Sequence, residues 1–197
     1  MKFFIYIAAV CILGQGSTQA IERFDYHVVR KQPATATLEI YEGEFLSGDG
    51  KARPQDMRGF GKGWSGNSHL LWDGLVGDSS KVEFEVMKAG KYAVSIQWTM
   101  APDYGQFEVR VNGKLVDEKL DLFSPVVGLS KLRESIVLDL QPGIHRIGIK
   151  LVSGNVNAKK FRGTGYLYGL DYIKLRDLSP KLEQVKEIKE TNVLKIP

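Results

Sequence analysis

The feature that most constrains this chain is a succession of short runs in which apolar and polar residues alternate. Val82, Phe84 and Val86 form one row; after the turn Lys88-Ala89-Gly90, residues Tyr92, Val94, Ile96, Trp98 and Met100 form the next. Phe107, Val109 and Val111 run into Asn112-Gly113, the strongest short hairpin signal in the chain, and Lys114 to Glu118 returns. Ile136, Leu138 and Leu140 lead to Gln141-Pro142-Gly143, after which His145, Ile147, Ile149 and Leu151 continue the pattern. A period of two, punctuated by Gly- and Pro-containing turns, belongs to antiparallel strands with one buried face. No helices alternate with these runs, and no segment recurs at solenoid or propeller spacing. The expected fold is therefore all-β: an antiparallel sandwich of about eight strands with jelly-roll connectivity.

The last run, Gly165-Tyr166-Leu167-Tyr168-Gly169-Leu170-Asp171-Tyr172-Ile173-Lys174-Leu175, breaks its own pattern with a carboxylate. Strand parity puts Asp171 on the face of Ile173 and Leu175. An uncompensated buried carboxylate is costly, so this one requires a cation or hydrogen-bond donors. In Leu38-Glu39-Ile40-Tyr41-Glu42-Gly43-Glu44 the same alternation places Glu42 and Glu44 on the face of Leu38 and Ile40. Three carboxylates brought together suit a hard cation with oxygen ligands, calcium being the usual choice. Two simpler readings stand beside this one. The first strand surfaces after Ile40 while Asp171 caps a turn, or Lys and Arg side chains answer the carboxylates.

Residues 1–20 read as a secretory signal peptide cleaved after Ala20, with Lys2 ahead of an uncharged run from Phe3 to Leu13. That run is too short to span a bilayer, and no other stretch reaches the ~20 apolar residues a spanning helix needs. The protein is expected to be secreted or periplasmic. Cys11, the only cysteine, leaves with the signal, which excludes disulfides, thiolate metal sites and cysteine nucleophiles. Residues 21–177 form the expected sandwich domain. Residues 178–197 read as a helix or tail, with Ser179 as cap, Pro180 at the first helical position, and Leu182, Val185 and Ile188 at helical spacing. A net charge of +4 for the full chain is too small to argue for nucleic acid, and Lys159-Lys160 with Arg162 reads as a solvated loop.

From Ser47 to Ser80 no period holds for long, and a long ordered loop or a set of turns is expected. Within it, Gly59-Phe60-Gly61-Lys62-Gly63-Trp64-Ser65-Gly66-Asn67-Ser68-His69-Leu70-Leu71-Trp72 alternates glycines with aromatics, as a binding loop would. It lacks the spacing of a phosphate loop. No Gly-x-Ser-x-Gly accompanies His27, His69 or His145, and none of these histidines has a metal-site spacing partner. His145 reads as a satisfied core or rim residue. Asp73, Asp78 and Asp103 could supply paired carboxylates for glycoside hydrolysis, but they sit where turn residues belong. No catalytic constellation is expected.

Taken together, Glu42-Gly43-Glu44, Phe84-x-Val86-x-x-Ala89-Gly90-x-Tyr92-x-Val94, Leu140-x-x-Gly143-x-His145-x-Ile147 and Gly169-Leu170-Asp171-Tyr172-Ile173-x-Leu175 resemble carbohydrate-binding modules of families six and thirty-five. These are galactose-binding-domain-like jelly rolls found as accessory domains in exported bacterial polysaccharide-degrading proteins. The resemblance covers 38–175 and implies a structural calcium held at Glu42, Glu44 and Asp171. It implies a non-catalytic protein that binds a polysaccharide or other glycan. This chain departs from family six in two places. Gly169 stands where that family commonly has a ligand-binding asparagine, and Phe123 to Leu138 lacks the usual loop tryptophan. A glycan platform is then expected from Trp64, Trp72, Tyr104 and Tyr166, with Asn155 and Asn157 as polar partners, since aromatic faces stack on pyranose rings and amides fix hydroxyls. Two further readings are a cell-envelope assembly module that has lost sugar binding and docks on a partner protein, and a glycoside-active enzyme.

Overall fold

The computed structural model describes residues 38–43, 47–48, 51–132 and 134–179. The expected signal peptide, Glu44 and the helix after Ser179 lie outside the described residues. Twelve strands are present among those described: β1 (Leu38–Glu42), β2 (Ser47–Gly48), β3 (Arg53–Asp56), β4 (Ser68–Gly74), β5 (Ser79–Val86), β6 (Gly90–Met100), β7 (Gly105–Val111), β8 (Lys114–Asp121), β9 (Gly128–Leu129), β10 (Glu134–Leu140), β11 (Gly143–Gly154) and β12 (Tyr166–Asp177). They make two antiparallel sheets. The larger runs β10-β6-β12-β4-β3, with β1 also on β12 and β9 on β6; the smaller runs β2-β5-β11-β7-β8. This is the all-β sandwich that the alternation predicts.

The apolar rows close on one another between the sheets. Val82, Phe84 and Val86 of the smaller sheet are fully buried, as are Phe107, Val111, Ile147 and Leu151, and they face Val94, Leu170, Ile173 and Leu175 of the larger. At the centre Tyr168 stacks on Trp72 with ring centroids 5.4 Å apart, and receives Trp98 and Phe107 edge-on at 5.9 and 5.6 Å. Its hydroxyl hydrogen-bonds Ser80 Oγ at 2.6 Å, so the one polar atom of this aromatic cluster's middle ring is satisfied. The Asn112-Gly113 turn joins β7 to β8 with φ of 49° and 81°, the double left-handed geometry that a two-residue hairpin requires. Asn112 also anchors the rim: its side-chain oxygen accepts from Arg146 N at 3.0 Å, and its amide contacts His145 Nδ1 at 2.8 Å. His145 is thus a satisfied rim residue.

Two local differences from the sequence expectation matter for the site. The stretch 68–74, expected to be loop, is strand β4, and lies inside the larger sheet between β12 and β3. It is buried on both faces, so the apolar-polar alternation that betrays a half-exposed strand is absent. The second difference lies in β12. Tyr168 and Leu170 are buried at even positions and Ile173 and Leu175 at odd ones, because the register against β6 slips between Leu170 and Tyr172. Asp171 sits in this bulge, so parity does not carry it onto the inter-sheet face with Ile173 and Leu175.

Candidate functional site

The larger sheet has a second buried layer on the face turned away from its partner. Gly169 pairs with Leu71 on one side and Thr99 on the other, and by alternation these residues point opposite to Tyr168, Trp72 and Trp98. His69 and Thr99 are both fully buried there. A Cβ at Gly169 would lie 2.5 Å from His69 Cε1 and 2.8 Å from the Tyr104 hydroxyl. The position where family six carries asparagine therefore has no room for a side chain, because His69 and Tyr104 close over it.

These polar groups form a directed chain. Trp64 Nε1 donates to Thr99 Oγ1 at 2.8 Å, Thr99 Oγ1 lies 2.7 Å from His69 Nδ1, and His69 Nε2 lies 2.8 Å from Gln55 Oε1. Indole N–H can only donate and Gln55 Oε1 can only accept, so a neutral His69 protonated on Nε2 satisfies every member. Burial pushes the His69 ring down to about 4, consistent with the neutral form.

The chain pins the glycine-rich loop 57–67 against the sheet. Its base is closed by Met57 N donating to Asn67 O at 2.8 Å, and Met57 itself is buried. Trp64 anchors the far side through Thr99, and Ser65 N donates to Asp171 Oδ1 at 3.0 Å. Gly66 and Asn67 adopt left-handed φ of 62° and 58° to complete the turn. Between this loop and β3 lies an open recess of about 370 Å³ lined by Pro54, Asp56, Arg58, Gly66, Asn67 and Ser68. Arg58 Nε bonds both Asp56 carboxylate oxygens at 3.0 and 2.9 Å, and Arg58 N donates to Oδ1 at 2.9 Å. These bonds pull the Asp56 carboxyl down to about 2 and fix the guanidinium as a planar donor. Phe60, two residues beyond Arg58, is 49% exposed.

Two of the residues expected as metal ligands, Glu42 and Asp171, are among the described residues. Opposite β12, the edge passes from β4, which pairs with Tyr166 to Leu170, to β1, which pairs with Tyr172 to Arg176. Glu42 and Gly43 occupy that junction beside Asp171. A Cβ at Gly43 would fall 2.0 Å from Leu170 O, so only glycine lets the chain pass this close. Glu42 is 7% exposed and its Oε2 is buried with no hydrogen-bond partner; Asp171 is fully buried. The Tyr172 phenol is pushed up by burial and by the charges of Asp171 and Glu42, which places both carboxylates in one neighbourhood. An orphaned carboxylate oxygen beside a second buried carboxylate is an oxygen-donor set that fits a hard cation. Glu44 lies outside the described residues, and among those described no three acidic, His or Cys side chains cluster.

The aromatic platform expected from sequence is not open. Trp64, Trp72, Tyr104 and Tyr166 are 7%, 1%, 4% and 8% exposed. Trp72 is core, Trp64 is the loop anchor, Tyr104 covers Gly169, and Tyr166 lies flat on Gly154, where a Cβ would meet its ring at 2.1 Å. Their rings are consumed by packing. Asn155 donates to Asp121 Oδ2 at 2.6 Å and braces its loop, while Asn157 is exposed. Asp56 and Arg58 at the recess lie outside the stretch 59–72 that reads as a binding loop, whereas Asn67, which also lines the recess, and the exposed Phe60 lie within it. The signal for them was the glycine spacing around Phe60 and an acidic-basic pair two residues apart.

No family model matches this chain, and no curated protein matches its sequence. Solved structures are similar in fold. Part of a Paenibacillus xanthan lyase is similar with a TM-score of 0.53 and 21% identity, over 70% of this chain and 12% of that one. A family 35 carbohydrate-binding module from Clostridium thermocellum is similar at TM-score 0.45 and 19% identity, over 71% of this chain and 98% of the module. A β-1,4-mannanase from Podospora anserina that carries a family 35 module is similar at 0.49 and 17%, over 74% of this chain and 28% of the enzyme. The likeness is one of fold: a two-sheet sandwich that also forms a small part of the xanthan lyase. The family named by the sequence resemblance is represented among these structures.

Proposed function

We propose that this protein is an exported, non-catalytic glycan-binding β-sandwich whose contact surface is the recess between β3 and the loop 57–67. The observation that carries the reading is the composition of that recess. Asp56, Arg58, Asn67 and Ser68 line it, the Arg58 guanidinium is bonded to the Asp56 carboxylate, and Phe60 stands half-exposed on the same loop two residues beyond Arg58. Fixed polar donors orient sugar hydroxyls, and an aromatic face takes the apolar side of a pyranose.

A further element belongs to the proposal. Calcium at Glu42 and Asp171, with Glu44, supplies positive charge to the buried carboxylates and is structural. Of the three carboxylates considered for hydrolysis, Asp103 is half-buried with its carboxyl pushed up by that burial, and the other two are paired. Asp73 is engaged by Arg53 at 2.8 Å, and Asp78 by Lys51 at 3.0 Å and by Leu75 N at 3.1 Å, which holds the Asp78 carboxyl low.

Affinity electrophoresis through gels containing xanthan, polygalacturonate, its methyl ester or β-mannan tests the reading. Retardation by at least one polymer, lost in Arg58→Ala and Phe60→Ala with the melting temperature unchanged, is the expected result. No retardation in any gel, or retardation indifferent to both substitutions, removes it.

A further inference from the structure

One end of the sandwich carries an unanswered positive charge. The loop 155–165 between β11 and β12 is not a slack solvated segment. Asn157 N donates to Asn155 Oδ1, Ala158 N to Asn155 O, Lys159 N to Pro102 O and Phe161 N to Gly165 O, all at 2.8 to 2.9 Å. Ala158 and Phe161 pack against the core, so the residues between and after them, Lys159, Lys160 and Arg162, are turned out and exposed. Arg162 adopts a left-handed φ of 47° and lays its guanidinium over the Phe161 ring, 5.0 Å from the centroid. Bulky residues avoid that backbone region, and the turn around Phe161 holds Arg162 in it.

The neighbouring carboxylates at this end are otherwise engaged. Asp73 pairs with Arg53 and Asp78 with Lys51; Asp121 accepts from Gln106, Asn155 and Phe123 N. Asp103, beside the Pro102 carbonyl that holds Lys159, is half-buried and its carboxyl is pushed up by that burial. Among the described residues, Lys159, Lys160 and Arg162 form no ion pair. Asn157 is exposed on the same loop and Thr164 on its far arm, amide and hydroxyl groups suited to sugar hydroxyls.

We propose that Lys159, Lys160 and Arg162 form a second contact surface, which reads the carboxylates of an acidic polysaccharide. It rests on the glycan-binding reading for the class of polymer, and adds charge selectivity at a place distinct from the recess. A braced triplet of cations spaced along one loop meets successive carboxylates of an extended polymer without paying to order itself, and its attraction is screened by salt.

The test uses the full chain and two polymers of one sugar backbone, polygalacturonate and its fully methyl-esterified form, which masks each carboxylate as a methyl ester, with poly-glutamate as a non-sugar polyanion. Lys159→Gln/Lys160→Gln/Arg162→Asn removes the charges while keeping a residue that tolerates the left-handed backbone. Lys88→Gln/Lys91→Gln/Lys114→Gln removes the same charge at the opposite end. Wild type is expected to bind polygalacturonate about tenfold tighter than the ester at low salt, the loop variant to lose that preference, and the opposite-end variant to keep it. Equal binding of acid and ester, equal losses in both variants, or poly-glutamate matching polygalacturonate overturns the inference. If the ester still binds in those cases, the glycan reading stands without it; if neither sugar polymer nor any other glycan binds, both fall.

Discussion

The two faces of the larger sheet are both buried, yet they are buried by different means. Toward β5, β7 and β11 it presents Trp72, Trp98, Tyr168, Leu170, Ile173 and Leu175, which exclude water chiefly by area, with the Tyr168–Ser80 hydrogen bond as the polar contact described above. On the other face His69, Thr99 and Gly169 lie under Tyr104 and the loop 57–67, and polar atoms are matched one to one. An apolar layer tolerates substitution in proportion to the volume lost, whereas a polar layer depends on protonation state and on each partner being present. The loop that shapes the recess is fastened to the second kind of layer, so its seating depends on the protonation state of His69.

The sharpest way to expose the apolar side is Trp72→Ala or Tyr168→Ala. Either leaves a cavity at the centre of the aromatic cluster and should lower stability by about 3–5 kcal/mol in urea denaturation, independently of pH between 5 and 8. A loss below about 1 kcal/mol would mean that Trp72 is not core.

The polar side answers to acid. His69 is held neutral in the folded protein with its ring down near 4, against 6.5 for the free side chain. Between those values only the unfolded chain takes up the proton. The contribution is whole above pH 6.5, shrinks as pH falls, and is gone below 4, a loss of about 3 kcal/mol. Denaturation curves at stepped pH should show this slope in wild type and a shallower one in His69→Gln; equal slopes would place the acid sensitivity elsewhere.

Calcium probes the junction between the two faces. An ion bound only by the folded state at a hundredfold excess over its Kd should add about 2.7 kcal/mol. Chelator should lower the melting temperature of wild type and leave Asp171→Asn unmoved. A melting curve indifferent to chelator in wild type would discard the cation and leave hydrogen bonds such as that from Ser65 N to compensate Asp171.

The smallest stability effects are expected at the recess. Arg58→Ala and Phe60→Ala remove exposed groups and should change stability by no more than about 0.5 kcal/mol. Larger changes would turn these residues from contact groups into structural ones.

How much of this was legible in the sequence follows from the same contrast. Strands β5, β7, β10 and β11 could be read from alternation because each has one buried face and turns that carry their own chemistry, Asn112-Gly113 above all; β6 is buried on both faces, yet alternates because Ser95, Gln97 and Thr99 on its second face are polar. Strand β4 could not, since both of its faces are covered, and so Trp72 was expected on a loop. Parity drew attention to Glu42 and Asp171, and both are buried, but a bulge is invisible to parity: Asp171 does not share the face of Ile173 and Leu175 as parity expected, and accepts from the Ser65 amide. The pairing of His69 with Thr99 and Trp64 is long-range, joining β4, β6 and the loop, and no local pattern encodes it. A glycine between Tyr168 and Leu170 in a fully buried strand was the one local hint that another group approaches closely there.

The central claim is that glycan is held at the recess beside the polar face. Amide chemical-shift mapping of the isotope-labelled full chain, titrated in turn with xanthan, polygalacturonate and mannan oligosaccharides, tests it most directly. The account predicts that at least one of them shifts the amides of Arg58, Phe60, Gly66, Asn67 and Ser68 in a saturable way. Oligosaccharides that bind but move only amides elsewhere, or a full set that moves none, would contradict it.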